Sequence, residues 1–397
     1  MATALELDVG RARAETPGCS DVLHFNNAGA ALMPRPVLEA VVGHLEREAH
    51  LGGYEAAEAA EPAIEHTYAM LAQLLGCRTD EVAVVENATR AWDMAFYSIP
   101  LKAGDRILTA RAEYASNYIA YLQVARRSGV RIEVVPSDAT GQVDVAALEA
   151  MLDERVKLIS MSHVPTNGGL VNPAAAVGRV AQQWQVPFLL DACQSVGQLP
   201  TEVEALGCDL LSGTGRKYLR GPRGTGFLYV RRSLVERLEP PFLDLHAAEW
   251  TGPQEYTVRG DARRFENWES NIAAKIGLGV AVEYALGWGL EAIWQRVASL
   301  AEHLRAELTR LPGVRVYDQG AVRCGIVTFG LADREPATIK AALAAQRINV
   351  TTSSRASTLL DMDARHLAGV VRASVHYYNT EAEVARFCAA VAGLGGV

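Results

Sequence analysis

The sequence contains no basic tract and no long uninterrupted apolar run. Its 38 Lys and Arg residues are outnumbered by 46 Asp and Glu residues, and the net charge of −8 gives no electrostatic footprint for nucleic acid or an anionic membrane. The most apolar stretch, residues 276–294, is interrupted by Glu283 and Glu291, which predicts a buried helix rather than a membrane span. Residues 1–10 lack the basic and then apolar order of a signal peptide. We therefore expect neither a nucleic-acid partner nor a membrane partner.

Cysteine is sparse and scattered. The six cysteines include no C-x-x-C pair, which argues against a zinc cluster and against a disulfide framework. No H-x-x-x-H pair or paired acidic cluster indicates a bound metal. We therefore expect no metal and a location in the reducing cytoplasm.

The familiar nucleotide-binding motifs are also missing. Residues 213–217 resemble a P-loop, but Arg216 separates the glycine from the lysine, and Tyr218 stands where Ser or Thr is required. The glycines of residues 221–226 have the wrong spacing for a dinucleotide fingerprint and come too late in the chain. The sequence therefore predicts neither of these two phosphate sites.

What is present is an alternation of apolar strands with amphipathic helices. The 397 residues are enough for two domains. Up to about residue 288 the pattern predicts a largely parallel sheet covered by helices. Beyond that point it predicts a smaller α+β domain. We expect a large domain of residues 20–285 and a small domain formed by residues 1–19 and 286–397. The predicted strands are 81–85, 106–109, 131–136, 156–161, 187–191, 314–317 and 326–329, and the predicted helices are 34–48, 88–97, 117–128, 174–185, 290–311, 337–345 and 381–394.

An acid and a lysine follow two of the predicted strands. Asp191 ends one apolar strand, with Gln194 just beyond it, and Lys217 comes just after the strand-like residues 209–212. Ligand groups in parallel sheets gather at the carboxyl ends of strands. Pyridoxal 5′-phosphate needs a lysine for its Schiff base and an acid beside its pyridine nitrogen, and the polar turn at residues 86–89 could hold its phosphate. From spacing alone, a solvated lysine and a helix-capping aspartate are the simpler explanation of the pattern.

Three ordered motifs carry a family resemblance that strengthens the cofactor hypothesis. They are residues 188–194 (FLLDACQ), residues 214–226 with TGRK followed by GPRGTG, and residues 371–380 (VRASVHYYNT). From about residue 23 to residue 394, the chain resembles the class V aminotransferase family of fold type I pyridoxal-phosphate enzymes. The resemblance implies an α/β fold with a mainly parallel seven-stranded sheet, a smaller α+β domain, and a homodimer with active sites at the interface.

The resemblance also implies site residues. Lys217 would form the Schiff base and move the α-proton, Asp191 would pair with the pyridine nitrogen, and Gln194 would bond the ring hydroxyl. Arg372 would hold the substrate carboxylate, a task suited to its planar fork. The other implied cofactor contacts are Ala88, Thr89, Thr214 and Arg216 at the phosphate, Tyr114 over the ring and Ser270 across a dimer, and the other implied substrate contacts are Asn167 (with Thr166 as its rival), Tyr54, Asn27 and Arg355.

Departures from the family pattern guide the expected reaction. Cysteine desulfurases of this family carry a nucleophilic cysteine on a loop before the carboxylate-binding arginine, but here the loop of residues 351–357 has Ala356 at that position. The ring-stacking histidine is missing from residues 113–117 as well. We therefore expect a C–S β-lyase that cleaves an S-substituted cysteine conjugate to a thiol, pyruvate and ammonia in specialised (natural-product) metabolism, and not a persulfide-forming cysteine desulfurase.

Other reactions remain open at this stage. A racemase or epimerase would use the same carbanion with Tyr114 or Tyr54 as a second acid. Decarboxylation-coupled deamination and transamination are further alternatives, because the fold and the cofactor do not fix the reaction. A non-catalytic cofactor-binding protein is disfavoured by the intact set of Lys217, Asp191 and Arg372. In every case the expected ligand is a small amino acid.

Overall fold

The computed structural model describes residues 7–395. The prediction that no signal peptide is present rests on residues 1–10, and residues 1–6 lie outside the described part. Residues 1–6 and 396–397 of the predicted small domain lie outside it as well. Among the described residues the helices are α1 (Val9–Ala14), α2 (Arg35–Leu51), α3 (Gly53–Ala59), α4 (Glu61–Leu75), α5 (Ala88–Tyr97), α6 (Ala115–Ser128), α7 (Val145–Ala150), α8 (Ala174–Gln183), α9 (Val203–Leu206), α10 (Arg232–Val235), α11 (Ile272–Trp288), α12 (Leu290–Thr309), α13 (Pro336–Ala344), α14 (Leu359–Ala364) and α15 (Glu381–Gly395). The strands are β1 (Leu23–His24), β2 (Val82–Val85), β3 (Arg106–Thr109), β4 (Arg131–Val134), β5 (Val156–Ser162), β6 (Phe188–Asp191), β7 (Leu210–Thr214), β8 (Gly226–Val230), β9 (Ala248–Gly252), β10 (Glu255–Val258), β11 (Val314–Val316), β12 (Ile326–Leu331), β13 (Ile348–Asn349), β14 (Thr351–Ser354) and β15 (Gly369–Ser374).

The large sheet has seven strands in the order β2-β8-β7-β6-β5-β3-β4. Strands β3 to β7 are paired in parallel, whereas β8 runs antiparallel to both of its neighbours. Every residue of β2, β3, β6, β7 and β8 is buried, as expected for strands covered by helices on both faces. The predicted mainly parallel seven-stranded sheet is confirmed.

A second sheet lies in the C-terminal part of the chain. Its four antiparallel strands have the order β11-β12-β15-β14, and α12 and α13 pack against it. Helix α15 packs on α12 and α13, and its Phe387 ring lies 6.0 Å from the Phe329 ring of β12. The N-terminal strand β1 pairs in parallel with β13, and the ring of Phe25 stacks on Phe387 of α15 at 4.7 Å. The N-terminal segment therefore adds to this smaller α+β unit, while the proposed division near residue 285 stays a prediction.

The helix predicted to begin at residue 290 is confirmed as α12, but the apolar stretch at 276–294 is not the single helix that the sequence predicts. It is shared between α11 and α12, which break at Gly289, where φ is 81°. Glycine accepts this left-handed backbone region without the steric cost that a Cβ would add. Within residues 7–395 no single helix has the length and apolar composition of a membrane span, although α11 and α12 reach them together across a bend of 79°.

Arg220 ties three parts of the chain together. Its side chain is 1% exposed, and it donates hydrogen bonds to the Leu32 carbonyl at 2.8 Å, the Tyr377 hydroxyl at 2.7 Å and the Thr16 hydroxyl. The guanidinium also lies 4.6 Å from the centre of the Tyr378 ring, a cation–π contact. The turn after β7 is thereby fixed against both the N-terminal segment and the residues that follow β15.

Replacing this arginine is expected to cost stability. Arg220→Met leaves the Thr16 and Tyr377 hydroxyls without their buried donor, so the free energy of unfolding should fall by about 3 kcal/mol. Urea unfolding followed by circular dichroism measures the change. Arg223→Met, at an exposed position three residues away, is the matched control and should change the free energy of unfolding by less than about 0.5 kcal/mol. Equal losses of unfolding free energy in the two variants would contradict the stabilising role of Arg220.

Candidate active site

The carboxyl ends of the parallel strands meet at one edge of the large sheet. Asp191 is the last residue of β6, and Lys217 follows the end of β7 in the next turn. In the sheet register Asp191 lies opposite Ser162 of β5 and Ser212 of β7. Both Asp191 and Lys217 line a cavity of about 150 Å³ at this edge, where parallel sheets bind their ligands. The structure thus brings the predicted acid and lysine to one cavity.

Asp191 is buried and held by a donor at each carboxylate oxygen. Oδ1 accepts a hydrogen bond from the backbone N–H of Cys193 at 3.0 Å, and Oδ2 accepts one from Nδ2 of Asn117 at 3.0 Å. These two contacts fix the plane of the carboxylate. The residue therefore presents a negative charge of defined orientation to the cavity.

Lys217 has an unusual protonation equilibrium. Burial lowers the pKa of its amine to about 8, and the neighbouring charge of Arg216 acts in the same direction. At pH 7 roughly one-tenth of such a lysine is neutral, far more than for a lysine with the usual pKa. A neutral amine is the form that attacks a carbonyl carbon, so the cavity keeps Lys217 ready for covalent attachment to an aldehyde.

The opposite wall of the cavity is the N-terminus of α5. Asn87 caps this helix by accepting the Arg90 backbone N–H at 2.9 Å, and Ala88 and Thr89 are its first residues. Strand β8 lies close to the start of α5, because its first residue, Gly226, has no side chain. A Cβ at Gly226 would lie 2.3 Å from the carbonyl carbon of Asn87. Free N–H groups and the positive end of the helix dipole make this wall suitable for a phosphate.

Thr214 and Arg216 complete this side of the cavity. The Thr214 hydroxyl donates to the Thr225 carbonyl at 3.4 Å, and Nη1 of Arg216 donates to the carbonyl of Gly29 in the N-terminal segment. Both residues line the cavity with Lys217. Their assignment to the phosphate stays a prediction, and Arg216 points toward the N-terminal segment.

Gln194 provides a test of whether a cofactor fits. Its Nε2 donates to the Ala28 carbonyl at 3.1 Å, while its Oε1 is buried and has no hydrogen-bond partner within residues 7–395. A buried amide oxygen without a partner is costly, and a ligand hydroxyl in the cavity would satisfy it. In pyridoxal 5′-phosphate, the ring hydroxyl would suit this oxygen and the ring nitrogen would suit Asp191. The phosphate would suit the N-terminus of α5. The residues present therefore fit that cofactor.

Arg372 approaches the same region from β15. Its Nη1 donates to the carbonyl and the hydroxyl of Thr166, at 3.1 and 2.6 Å, and Thr166 lines the cavity. Its buried Nε has no hydrogen-bond partner among the described residues. Burial lowers the pKa of Arg372 to about 10, so the guanidinium remains charged at neutral pH. A carboxylate is the natural ligand for such a group.

Two predicted substrate contacts point to other partners. Nδ2 of Asn167 donates to the Thr358 hydroxyl at 2.8 Å, and the rival Thr166 takes the place in the cavity wall. Nδ2 of Asn27 donates to the Ser374 carbonyl at 2.7 Å. Neither asparagine lines the cavity, and their predicted roles are not tested by these contacts.

The remaining predicted residues are more dispersed. Tyr114 lines the 150 Å³ cavity and is 39% exposed. Tyr54 and Ser270 instead line a separate cavity of about 1060 Å³. Arg355 is exposed and pairs with Asp363, with Nη2 at 2.6 Å from the carboxylate. The structure does not bring Tyr54, Ser270 or Arg355 to the smaller cavity, and their roles stay predictions.

Sequence reasoning gave no role to the buried residues behind Asp191. Glu113 and Asn117 lie between the end of β3 and the first turns of α6, and Asn117 contacts Asp191 directly. In the sequence, both residues belong to the segment 113–117 that lacks the family histidine, and Asn117 begins the predicted helix 117–128. Glu113 and Asn117 lie more than 70 residues before Asp191 in the sequence, which therefore gives no sign of a contact between them. The contact depends on the order of β3, β5 and β6 in the sheet.

Comparison with known proteins decides the family. The model of the family described as Aminotransferase class-V matches residues 23–387. The chain belongs to this family. A probable cysteine desulfurase of Xylella fastidiosa is 31% identical over 384 residues, which cover 93% of this chain and 90% of the relative. A probable cysteine desulfurase of Methanothermobacter thermautotrophicus is 27% identical over 380 residues and 94% of each chain.

Solved structures show the same fold. The apo cysteine desulfurase of Thermococcus onnurineus matches with a TM-score of 0.91 and 26% identity, covering 100% of this chain and 99% of the neighbour. The cystine C–S lyase C-DES, in complex with its product cysteine persulfide, matches with a TM-score of 0.86 and 25% identity, covering 96% of this chain and 100% of the neighbour. Another C-DES structure carries glycine covalently linked to its pyridoxal phosphate. The predictions of the family, of the fold type I architecture and of pyridoxal 5′-phosphate as the cofactor are confirmed.

The predicted reaction is wrong. The departures from the family pattern predict a C–S β-lyase for cysteine conjugates in specialised metabolism, with a racemase and a deaminase or aminotransferase as alternatives. They also predict that the enzyme is not a persulfide-forming cysteine desulfurase. The relatives that match more than nine-tenths of the chain are instead cysteine desulfurases by name, as is the Thermococcus structure. The error lies in the weight given to Ala356, because one exposed position on a surface segment does not decide which bond the buried cavity breaks.

The lowered pKa of Lys217 leads to a labelling prediction. When cofactor-free protein is mixed with pyridoxal 5′-phosphate and reduced with borohydride, peptide mass mapping should find the label at Lys217, with an initial rate that rises with pH around a midpoint near 8. Lysine with its ordinary pKa would give a midpoint above 10. Lys217→Ala should abolish the fast labelling, whereas Lys157→Ala, at an exposed lysine, should leave it unchanged. Fast labelling that persists without Lys217 would rule out the assignment.

Proposed function

We propose that this protein is a pyridoxal-phosphate-dependent cysteine desulfurase that removes the sulfur atom of L-cysteine and leaves L-alanine. The observation that carries the proposal is the match to cysteine desulfurases over more than nine-tenths of the chain, combined with one cavity that holds Asp191 and Lys217 and lies beside Arg372. The guanidinium at the edge of this cavity favours the amino acid's carboxylate.

The residues divide the work as follows. When bound, pyridoxal phosphate supplies an electron sink that stabilises negative charge at the substrate Cα. Arg372 binds the substrate carboxylate and so orients the Cα–H bond. Lys217 takes the proton from Cα and can return it, a role that suits an amine with a pKa near 8. Asp191 holds a proton at the ring nitrogen of the cofactor through its fixed carboxylate.

The sulfur acceptor in this proposal is a thiol that does not belong to the segment of residues 351–358, since that segment contains no cysteine. Cys193 lines the cavity, but burial and the charge of Asp191 raise the pKa of its thiol well above the usual value, so it is a poor nucleophile at neutral pH. An added thiol RSH would attack the sulfur of cysteine and form RS–SH. The S–S bond forms as the Cβ–S bond breaks, the electron pair left at Cβ takes up a proton, and the products are alanine and the persulfide.

Turnover of L-cysteine tests this function. With dithiothreitol as the thiol, the holoenzyme should release L-alanine and sulfide in equal amounts, because the persulfide of dithiothreitol closes to its cyclic disulfide and expels sulfide. Amino-acid analysis and a methylene-blue assay measure the two products. Lys217→Ala should lose at least about 100-fold in kcat, since it removes the proton-transfer group. Pyruvate and ammonia in place of alanine would overturn the proposal.

We further propose a homodimer with its active sites at the interface. Three exposed apolar side chains, Leu38, Val42 and Leu45, form a stripe along α2, and Tyr54 and Trp268 are 74% and 59% exposed. Leu45, Tyr54 and Trp268 line the 1060 Å³ cavity. An apolar patch of this kind on a folded chain is typical of a protein interface.

The cytoplasmic location expected from the cysteine pattern also remains a proposal.

Sedimentation velocity tests the dimer. The wild-type holoenzyme should sediment with twice the chain mass, and Leu45→Glu combined with Trp268→Glu should weaken the association at least about tenfold, because each change buries a charge in the interface. Ile119→Glu changes an apolar side chain on α6 that is 65% exposed and serves as the control. A wild-type monomer would contradict the proposed interface. Equal effects of Ile119→Glu and of the double variant Leu45→Glu with Trp268→Glu would contradict it as well.

A further inference from the structure

A second buried carboxylate stands behind Asp191. Glu113 lies in the connection between β3 and α6 and is 3% exposed. Its Oε1 accepts hydrogen bonds from the Tyr114 backbone N–H at 2.8 Å, from Nδ2 of Asn117 at 2.9 Å and from the Ser162 hydroxyl at 2.7 Å. Its Oε2 accepts the Ser162 backbone N–H at 2.9 Å. The Thr109 hydroxyl also donates to Oε2, at 3.4 Å. All five donors suit an ionised carboxylate, which accepts hydrogen bonds and donates none.

Asn117 connects the two acids. Its single Nδ2 atom donates to Oε1 of Glu113 at 2.9 Å and to Oδ2 of Asp191 at 3.0 Å. A side-chain amide nitrogen carries two hydrogens, so one can serve each carboxylate, and the opposite amide orientation would set its oxygen against two acceptors. The contact therefore fixes the Asn117 amide, and the amide fixes Oδ2 of Asp191 relative to Glu113.

The charge of Glu113 acts on the same pair. The groups that face Glu113 are Asp191 from β6 and, on α6, the Tyr121 side chain, whose hydroxyl donates to Oγ of Ser160 at 2.7 Å. Burial, and then the charge of Asp191, raise the pKa of Glu113 to about 7, while its hydrogen-bond donors oppose the rise. A negative charge behind a carboxylate favours any proton held in front of that carboxylate. Above pH 7, where Glu113 is ionised, its charge therefore strengthens the attraction of Asp191 for a cation.

We propose that Glu113, acting through Asn117, is a positioning residue that orients Asp191 and raises its affinity for the protonated ring nitrogen of pyridoxal phosphate. Glu113 lines neither cavity and touches no ligand position, so it acts only through its neighbours. The proposal goes beyond the desulfurase function, because the ring nitrogen must stay protonated whichever amino acid is the substrate. Its failure and the failure of the proposed function are therefore distinguishable.

Cofactor affinity separates this role from a purely structural one. Glu113→Gln keeps the size of the side chain and removes its charge. The Kd of the holoenzyme for pyridoxal phosphate should rise roughly tenfold, the effect of one weakened charge-assisted hydrogen bond. For an analogue with carbon in place of the ring nitrogen, wild type and variant should bind equally, because the analogue has no ring proton to hold. A structural defect would weaken the binding of both molecules by the same factor, and that outcome would overturn the proposal.

The state of the ring proton can be observed directly. With the ring nitrogen labelled as ¹⁵N, its NMR chemical shift reports protonation in the substrate-free holoenzyme. The pH at which this nitrogen loses its proton should be lower in Glu113→Gln than in wild type by about one unit, since a nearby negative charge has been removed. An unchanged midpoint would contradict the proposed coupling.

Two further variants keep the test decisive. Glu81→Gln is the matched control: Glu81 is 8% exposed, accepts the backbone N–H groups of Arg78 at 3.0 Å and Arg232 at 2.7 Å, and stands at the opposite end of β2 from the cavity. It should leave the preference for pyridoxal phosphate over the analogue unchanged. Where Glu113→Gln fails to fold, Asn117→Ala decides, because it removes the bridge and should reduce the same preference. An unchanged preference in Asn117→Ala would sink the proposal.

Discussion

The parallel pairing of β6 with β7 is the constraint on which the site depends. The pairing sets Asp191 opposite Ser212, and the chain then needs only the turn after β7 to bring Lys217 to the same edge. A slip of one residue would turn the side chains of β6 to the other face of the sheet, and the acid would leave the cavity. Leu189 and Leu190 are fully buried and belong to the two apolar clusters on opposite faces of the sheet, which holds β6 in the interior. The acid of the site therefore stands at the end of a strand that is buried on both faces.

The charges at this edge are arranged for anionic ligands. Lys217, Arg216 and Arg372 supply three cationic groups, against the carboxylates of Asp191 and Glu113. Buried cations without anionic partners are costly, and the lowered pKa values of Lys217 and Arg372 express that cost. A phosphate at the N-terminus of α5 and a carboxylate at Arg372 would bring the missing negative charge. Ligand binding and the stability of the empty site are thus linked through the same electrostatic balance.

The sequence pattern correctly predicted those helices and strands whose ends are determined by neighbouring residues in the chain. Helix α5 and strand β3 begin and end where the apolar periodicity and the Asn87 cap place them. Strand β8 was missed, because its first residue belongs to a glycine motif and its antiparallel direction depends on β2 and β7. The start of α12 at Leu290 agrees with the predicted helix 290–311, whereas the full extent of α11 was not predicted. The stretch before Gly289 is almost uniformly apolar, so it has no periodicity that could mark where α11 begins and ends.

Among the side chains of the site, too, those marked by a local motif were predictable and those placed by contacts between distant segments were not. Motifs identified Asp191, Gln194 and Lys217, which line the cavity, because cofactor chemistry demands particular groups at particular strand ends. They also named Tyr54, Ser270 and Arg355, which do not line it. They could not decide between Thr166 and Asn167, since the turn after β5 determines which side chain faces Arg372 and which faces Thr358. Motifs also could not reveal a residue such as Glu113, whose partners come from α6, β5 and β6. Residues that act through others become visible only when the sheet order brings distant segments together. An argument from one absent side chain, as at Ala356, is weak for the converse reason, because it infers a reaction from a position whose neighbours in the fold are unknown.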